Sequence, residues 1–295
     1  MSKPKAPQAP KSNTRGGAKP KKARPRSLPV NPPPGKPDPL RSRVVAIASD
    51  IHFDLESPKH WRSFRRWHAA VRPSVTILAG DVVDLGMLSA YPQEAGAPLR
   101  AIAQIKRMVK EVNPLVEESG TVYFLYGNHD ERWEREVVGK HSVALDGAKG
   151  LSFHDQCLAH GLDKRVRWVK EKPDTHGITV GPFIIRHGHK QSGRFGGPMH
   201  IAANAITKGL GQSVVLGHHH RAQVYCRSAF GKTAVAIANP CLTREHHYAP
   251  DADWQRGFTI LELHGPDGGV ATPYVVIMQE DGSFSWGGNV YRGEP

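Results

Sequence analysis

Val75-Thr76-Ile77-Leu78-Ala79-Gly80-Asp81-Val82-Val83-Asp84 is the stretch on which the reading of this chain turns. Its first five residues are an uncharged, largely β-branched run suited to a strand buried on both faces. The run stops at a glycine, and two carboxylates follow, Asp81 and Asp84. The same arrangement recurs on either side. Val44–Ala48 leads into Ser49-Asp50-Ile51-His52, and Thr121–Tyr126 into Gly127-Asn128-His129-Asp130. Phe183–Arg186 leads into His187-Gly188-His189, and Ser213–Leu216 into Gly217-His218-His219-His220. Ligands of open α/β sheets bind outside the carboxyl ends of the strands, so five such clusters on that edge converge on one place.

Between the first strands lie segments of helical period. Pro58–Val71 carries Trp61, Phe64 and His68 on one side and is closed by Pro73. Ala97–Val112 has Leu99, Ile102, Ile105 and Val109 as its apolar stripe, and Asn113-Pro114 is expected to end it. This β-α-β-α-β order predicts an α/β fold with helical crossovers. The second half reads as richer in strands: Arg165–Val169, Phe183–Arg186, Ser213–Leu216, Gln223–Ser228, Thr233–Ile237, Phe258–Leu263 and Tyr274–Met278. One helix, Pro198–Lys208, interrupts them.

Composition separates a tail from a domain. The chain has 295 residues and a formal charge of +13. Residues 1–43 hold twelve Lys or Arg against the single Asp38, and eleven of the 24 prolines. The rest carries 28 basic and 26 acidic side chains and is close to neutral. The tail has too little apolar surface to offset the entropy of ordering itself and is expected to be disordered. Two uses fit its charge equally: a solvated linker, or an arm that releases counterions on nucleic acid without reading sequence. It has no apolar core of a secretory signal, and no stretch reaches the length of a membrane span. Cys157, Cys226 and Cys241 are few and lack metal-type spacing, so no disulfide framework follows and a reducing cytoplasm is the expected location. We therefore expect a tail at 1–43 and one domain at 44–295.

Taken singly, each polar cluster has an ordinary explanation. Asp-x-His or Gly-Asp after a strand is a common turn, Asp130 suits the N-cap of a helix over Glu131–Val138, and a histidine run is compositional. Five together, each offering carboxylate, carboxamide or imidazole, point to a site for Mn, Fe, Zn, Ni or Mg. The absence of ligating cysteines argues against structural zinc. Two such cations roughly 3.5–4 Å apart clamp a phosphate and activate water. Asp81 suits the bridging carboxylate because the preceding glycine lets the chain approach closely.

The ordered set Asp50-x-His52, Gly80-Asp81-x-x-Asp84, Gly127-Asn128-His129-Asp130, His187-Gly188 and Gly217-His218-x-His220 resembles the signature of the calcineurin-like metallophosphoesterases. The resemblance implies a β-sandwich flanked by helices with a two-metal site in loops at one edge. It also implies roles. Asp50, His52, Asp81 and His220 would hold one metal, with manganese favoured. Asp81 would bridge to the second, bound also by Asn128, His187 and His218. His129 would face the substrate, and Asp84 would orient the site through His129. By spacing alone His187 and His189 are both open as the ligand; His187 directly ends the strand and matches the family's His-Gly order. His219 is expected to be solvated.

The resemblance thins after His220. Asn239-Pro240-Cys241 stands where the family usually has Asn-Pro-Gly, and Thr243–Tyr248 and Trp254–Gly257 fit either an active-site rim or a surface loop. Arg132, Lys190 and Arg194 are basic residues close to the motifs. The motif layout is also similar to DNA-repair and phage-encoded phosphoesterases. With the basic tail, it favours a phosphodiesterase or nuclease acting on nucleic acid or nucleotides. The alternatives are a phosphomonoesterase or protein phosphatase, a non-catalytic metal-binding scaffold, and a nucleic-acid-binding protein. No membrane insertion is expected.

Overall fold

The computed structural model describes residues 43–89, 100–141, 148–170, 177–190, 200–208, 212–229, 231–246, 252–265 and 268–294. The expectations for residues 1–42, Ala97, Leu99, Arg194, Pro198 and 247–248 lie outside these.

Two sheets face one another. The first runs β11-β10-β1-β2-β3-β4, with β1 (Arg43–Ala48), β2 (Val75–Ala79), β3 (Thr121–Leu125) and β4 (Arg167–Val169) parallel. Antiparallel β10 (Gly257–His264) and β11 (Val270–Ile277) complete it. The second runs β5-β6-β7-β9-β8, built from β5 (Ile178–Val180), β6 (Phe183–Arg186), β7 (Ser213–Leu216), β8 (Gln223–Ala229) and β9 (Lys232–Ala238). A separate hairpin joins β12 (Phe284–Trp286) to β13 (Asn289–Tyr291).

The period-2 alternation of each strand assigns its faces. Val45, Ile47, Val75, Ile77, Tyr123 and Leu125 turn towards Phe183, Ile185, Val215 and Ile237 of the other sheet, making the core of the sandwich. Ala46, Ala48, Leu78 and Phe124 turn outwards and pack beneath helices α1 (Pro58–Val71), α2 (Ala101–Glu118) and α3 (Phe153–Ala159). Helix α4 (Ile201–Lys208) covers the outer face of the second sheet, its Ile201, Ala205 and Ile206 packing on Val214, Leu216, Ala236 and Ala238. Each large side chain buried in these layers contributes on the order of 1.5–3 kcal/mol. The expected β-sandwich flanked by helices is what these layers form.

Several element boundaries differ from the sequence reading, each for a physical reason. Helix α2 does not stop before Pro114 but passes through it to Glu118. Leu115 and Val116 extend the buried stripe of Ile105, Met108, Val109 and Val112, and that burial outweighs the roughly 3 kcal/mol that an interior proline costs. Strand β11 begins four residues earlier than Tyr274 because an edge strand tolerates Pro273. Residues Arg165 and Val166 form a turn, Val166 N–H donating to the Asp163 carbonyl, and only Arg167–Val169 pair with β3. Strand β5, helix α3 and the β12–β13 hairpin are short elements that apolar period alone leaves invisible.

Candidate two-metal centre

The carboxyl ends of β1, β2, β3, β6 and β7 carry the five polar clusters, and the loops that follow are hydrogen-bonded to one another. Asp50 N–H donates to the Gly80 carbonyl, while Ile51 and His52 N–H both donate to that of Asp81. His218 N–H donates to the Asp50 carboxylate at 2.9 Å, linking the two sheets across the site. Backbone strain concentrates here: Asp50, His52, Asp81, His218 and His220 all have positive φ, between 49° and 73°. Non-glycine residues rarely adopt this conformation, and it persists where surrounding bonds over-determine it. Glycines make the space. A Cβ on Gly80 would overlap the His187 ring, and one on Gly127 would overlap Asp81.

Three groups of donor atoms result: Asp50, His52 and His220; His52, Asp81 and His129; and Asp81, His187 and His218. Within each group the atoms lie within 4.8 Å of one another. Asp81 and His52 each belong to two of them, and Asp81 is the one that joins the His187–His218 group to the others. Asn128 joins the third, its Oδ1 lying 3.1 Å from His187 Nε2, which is itself 3.2 Å from Asp81 Oδ2. His187 Nδ1–H donates to the Ala79 carbonyl, leaving Nε2 to face the donor cluster. His187, and not His189, thus stands among the donors. His220 Nε2 is 3.2 Å from Asp50 Oδ1, and His219 is half-buried beside His218.

The carboxylates and imidazoles of this cluster are strongly coupled. Burial alone would raise the Asp50 and Asp81 carboxyls, yet the neighbouring imidazoles hold both well below the usual range. Burial would lower His187, but Asp81 overrides it and pushes the imidazole up to about 10. Burial, then the His187 charge, drives His218 down to about 3. Buried His52 Nε2, His218 Nδ1 and His220 Nδ1 have no hydrogen-bond partner among the described residues, which is costly for imidazole nitrogens unless a ligand completes them. Ionised carboxylates, a carboxamide oxygen and unpartnered imidazoles, with no thiolate, form a donor set that fits hard to borderline divalent ions.

Asp84 holds two histidines at once. Its Oδ1 lies 3.2 Å from His52 Nδ1 and 3.2 Å from His129 Nδ1, and its carbonyl accepts from His129 Nδ1–H at 2.7 Å. Burial would raise this carboxyl, but the two imidazole bonds hold it far below the usual range. At His129 two influences oppose. Burial lowers the imidazole, and Asp81 with Asp84 outweighs it and raises it. Arg132 Nη2, however, donates to His129 Nε2 at 3.0 Å, and only a ring unprotonated at Nε2 satisfies that bond. Asp130 does not cap the following helical segment. Its carboxylate accepts from Val82, Val83 and Gly127 N–H, tying the β2 and β3 loops together, while burial and then Asp81 raise it to about 7.

Some neighbours of the site carry no motif signal. His246 is buried, hydrogen-bonded to Thr243 Oγ1 at 2.8 Å, with its ring 5.4 Å from that of His52. Trp254 stands edge-on to His220 at 4.4 Å. The rim alternative for these two loops is the one the packing matches. Their only trace in the sequence is an aromatic and histidine content high for a loop. Asn239 bridges Ser49 Oγ and Thr259 Oγ1 beneath the site, so the cysteine at position 241 leaves that support intact. Lys190 is engaged by Glu131.

A strand-end cluster of this composition on a two-sheet sandwich defines a metallophosphoesterase-type centre. The model of the family described as calcineurin-like phosphoesterase matches residues 43–222, more than half of the chain, and the protein belongs to that family. Membership and the Asp/His groups together support a metal-dependent phosphoester hydrolase. No curated protein matches the sequence. Among solved structures, the chain is similar to Vacuolar Protein Sorting 29 from Cryptosporidium parvum at 15% identity and a TM-score of 0.43, covering 85% of this chain and 95% of that one. It is similar to Vps29 from Chaetomium thermophilum at 12% identity and 0.42, with the same coverage. It is also similar to TT1561 of Thermus thermophilus at 10% identity and 0.33, covering 80% and 99%. Among the described residues no helix is long and apolar enough to cross a membrane.

Proposed function

We propose that this protein is a two-metal phosphodiesterase whose substrates are nucleic acids or nucleotides. The observation that carries the reading is the Asp81 carboxylate, shared between the His52–His129 group and the His187–His218 group. In this reading Asp50, His52, Asp81 and His220 hold one divalent ion. Asp81, Asn128, His187 and His218 hold the other. Two such ions, manganese in this reading, would supply Lewis-acid polarisation of the phosphoryl group and acidify water towards neutral pH.

The protein's own residues do the positioning. Asp84 fixes the rings of His52 and His129 through one carboxylate oxygen. His129, its Nδ1–H held by the Asp84 carbonyl, accepts from Arg132 at Nε2; once protonated there, the direction in which Asp81 and Asp84 push it, it would donate Nε2–H to a substrate oxygen or hand that proton on. Asp130 keeps the Asp81 and Asn128 loops in register by accepting three backbone N–H groups. The phosphoesterase domain then begins at Arg43, the first residue of β1. Residues 1–42, with eleven basic side chains against one acidic, act as an arm favouring polyanionic substrates.

The test is metal add-back. Protein stripped of metal receives Mn, Zn, Ni or Mg singly, and hydrolysis is compared on a chromogenic diester, a chromogenic monoester, and single- and double-stranded DNA. Mn-restored diester or DNA cleavage, lost in Asn128→Ala and His129→Ala, is the expected result. Cleavage of the monoester alone would move the assignment to a phosphomonoesterase. Absence of turnover with two ions bound would make the protein a scaffold.

A further inference from the structure

His189 differs from the buried core histidines of the molecule. His60 uses both ring nitrogens, Nδ1 with Ser57 Oγ and Nε2 with the Gln279 carbonyl. His68 does the same with Glu118 and Thr76. Their polar atoms are satisfied. The His189 side chain is only 10% exposed, yet neither of its ring nitrogens makes a hydrogen bond among the described residues. Leaving such a group unpartnered is costly, and among the described residues no other histidine has both ring nitrogens buried and unpartnered.

Its position points to what completes it. Gly188, at φ +94°, turns the chain directly after β6 so that His187 and His189 come off the same side of the loop. The His189 ring centroid is 5.2 Å from that of His187 and 6.2 Å from that of His218, two donors of the Asp81 group. His189 belongs to none of the three donor groups itself. Glu131 Oε2 lies 3.5 Å from His189 Nε2, close enough to orient the ring without a formed hydrogen bond. The same carboxylate holds Lys190 Nζ at 3.1 Å. An imidazole whose ring nitrogens have no hydrogen-bond partner among the described residues, beside a Lys–Glu pair and close to the Asp81–His187–His218 group, is placed to meet an anionic oxygen bound there.

We propose that His189 is a substrate-contacting residue, donating a ring N–H to an oxygen of the phosphoryl group on the His187–His218 side of the centre, with Glu131 as its positioning residue. The inference rests on the phosphoester reading above and deepens it. His129 serves the side shared with His52, and His189 serves the opposite one. A phosphoryl group between the two meets a side-chain hydrogen-bonding group at each end.

The test measures binding as well as turnover. Inorganic phosphate and orthovanadate are titrated calorimetrically into full-length, Mn-loaded wild type, His189→Ala, His189→Asn and Glu131→Gln, with metal content measured on each. We expect His189→Ala to keep the wild-type metal content and to bind phosphate roughly tenfold or more weakly, as loss of a hydrogen bond to a charged group predicts. His189→Asn should recover part of the loss, and Glu131→Gln should show a smaller one. Diester KM should rise in parallel with phosphate Kd. Unchanged phosphate affinity in His189→Ala, loss of a metal ion from it, or no phosphate binding by wild type would each overturn the assignment. His189-dependent phosphate binding without ester hydrolysis by wild type would leave this site standing and remove only the phosphodiesterase reading. Hydrolysis with His189-independent KM would do the reverse.

Discussion

The His187 ring occupies the space that a side chain on Gly80 would need: a Cβ built there overlaps Nδ1, Cγ and Cβ of the imidazole. Gly80 sits at φ +90°, and the neighbouring Ala79 carbonyl accepts from His187 Nδ1–H. A ring pushed away from Gly80 therefore gives up that bond and its place 3.2 Å from Asp81. Gly80→Ala should displace His187, lower the affinity of the metal it is proposed to hold by a factor of roughly ten or more, and destabilise the fold by about 1–3 kcal/mol. Metal content by mass spectrometry and a thermal melt read the two effects separately. A variant with full metal content and an unchanged melt would show that the loop relaxes freely, against the packing described.

Asp84 reaches the proposed chemistry only through two histidines, its Oδ1 lying 3.2 Å from both His52 and His129. Replacing it with Asn keeps the shape and removes the charge and one acceptor. Outer partners of this kind are worth about 10–100-fold in activity or metal affinity. Asp84→Asn is expected to lower kcat by that factor, with KM for a chromogenic diester changing by less than about threefold. An unchanged kcat would mean that Asp84 serves folding alone.

The site is far more legible in the sequence than its surroundings, and the reason is spacing. Each of Asp50, Asp81, Asn128, His187 and His218 lies within three residues of the end of a buried strand, so strand ends and ligands are read together. His246 and Trp254 come from loops whose approach to His52 and His220 depends on backbone bonds made far away in sequence, Leu242 and Thr243 N–H donating to the Asp50 carbonyl. Nothing local encodes that. The passage of α2 through Pro114 escapes a sequence reading for a related cause. A local rule for proline competes with the burial of Leu115 and Val116 against the sheet, and only the packed structure says which is larger. Asp130 reads as a helix cap in sequence and is instead a clamp between two loops.

Cation binding should register as stability. The unpartnered nitrogens of His52, His218 and His220 and the strained φ of five residues at the site are costs that bound ions offset. At a free Mn concentration about 100 times Kd, each occupied site should add roughly 2.7 kcal/mol. Chelator treatment is expected to lower Tm by several degrees, and added Mn to restore it in a concentration-dependent way. The shift should shrink in Asp81→Asn more than in any variant that removes a donor of a single group, because Asp81 is shared by two. Equal shifts in Asp81→Asn and His220→Ala would contradict that sharing.

Acid should weaken the fold through His60, far from the centre. Burial pushes this imidazole down to about 4, the Gln279 carbonyl bond only partly opposing it. Nε2–H donates to that carbonyl at 3.0 Å, so Nδ1 must accept from Ser57 Oγ–H at 2.7 Å, and the neutral ring satisfies both. As pH falls below the ordinary histidine value near 6.5, the unfolded chain takes up a proton that the folded chain refuses. Stability from this group is therefore full above about pH 6.5, declines between there and about pH 4, and falls no further below it. The loss should amount to roughly 1–3 kcal/mol after allowing for solvent screening. His60→Gln can still donate to Gln279 but cannot titrate, so its urea midpoint should change less with pH across that window than the wild type's. Parallel curves for the two proteins would show that His60 takes up its proton equally well folded and unfolded.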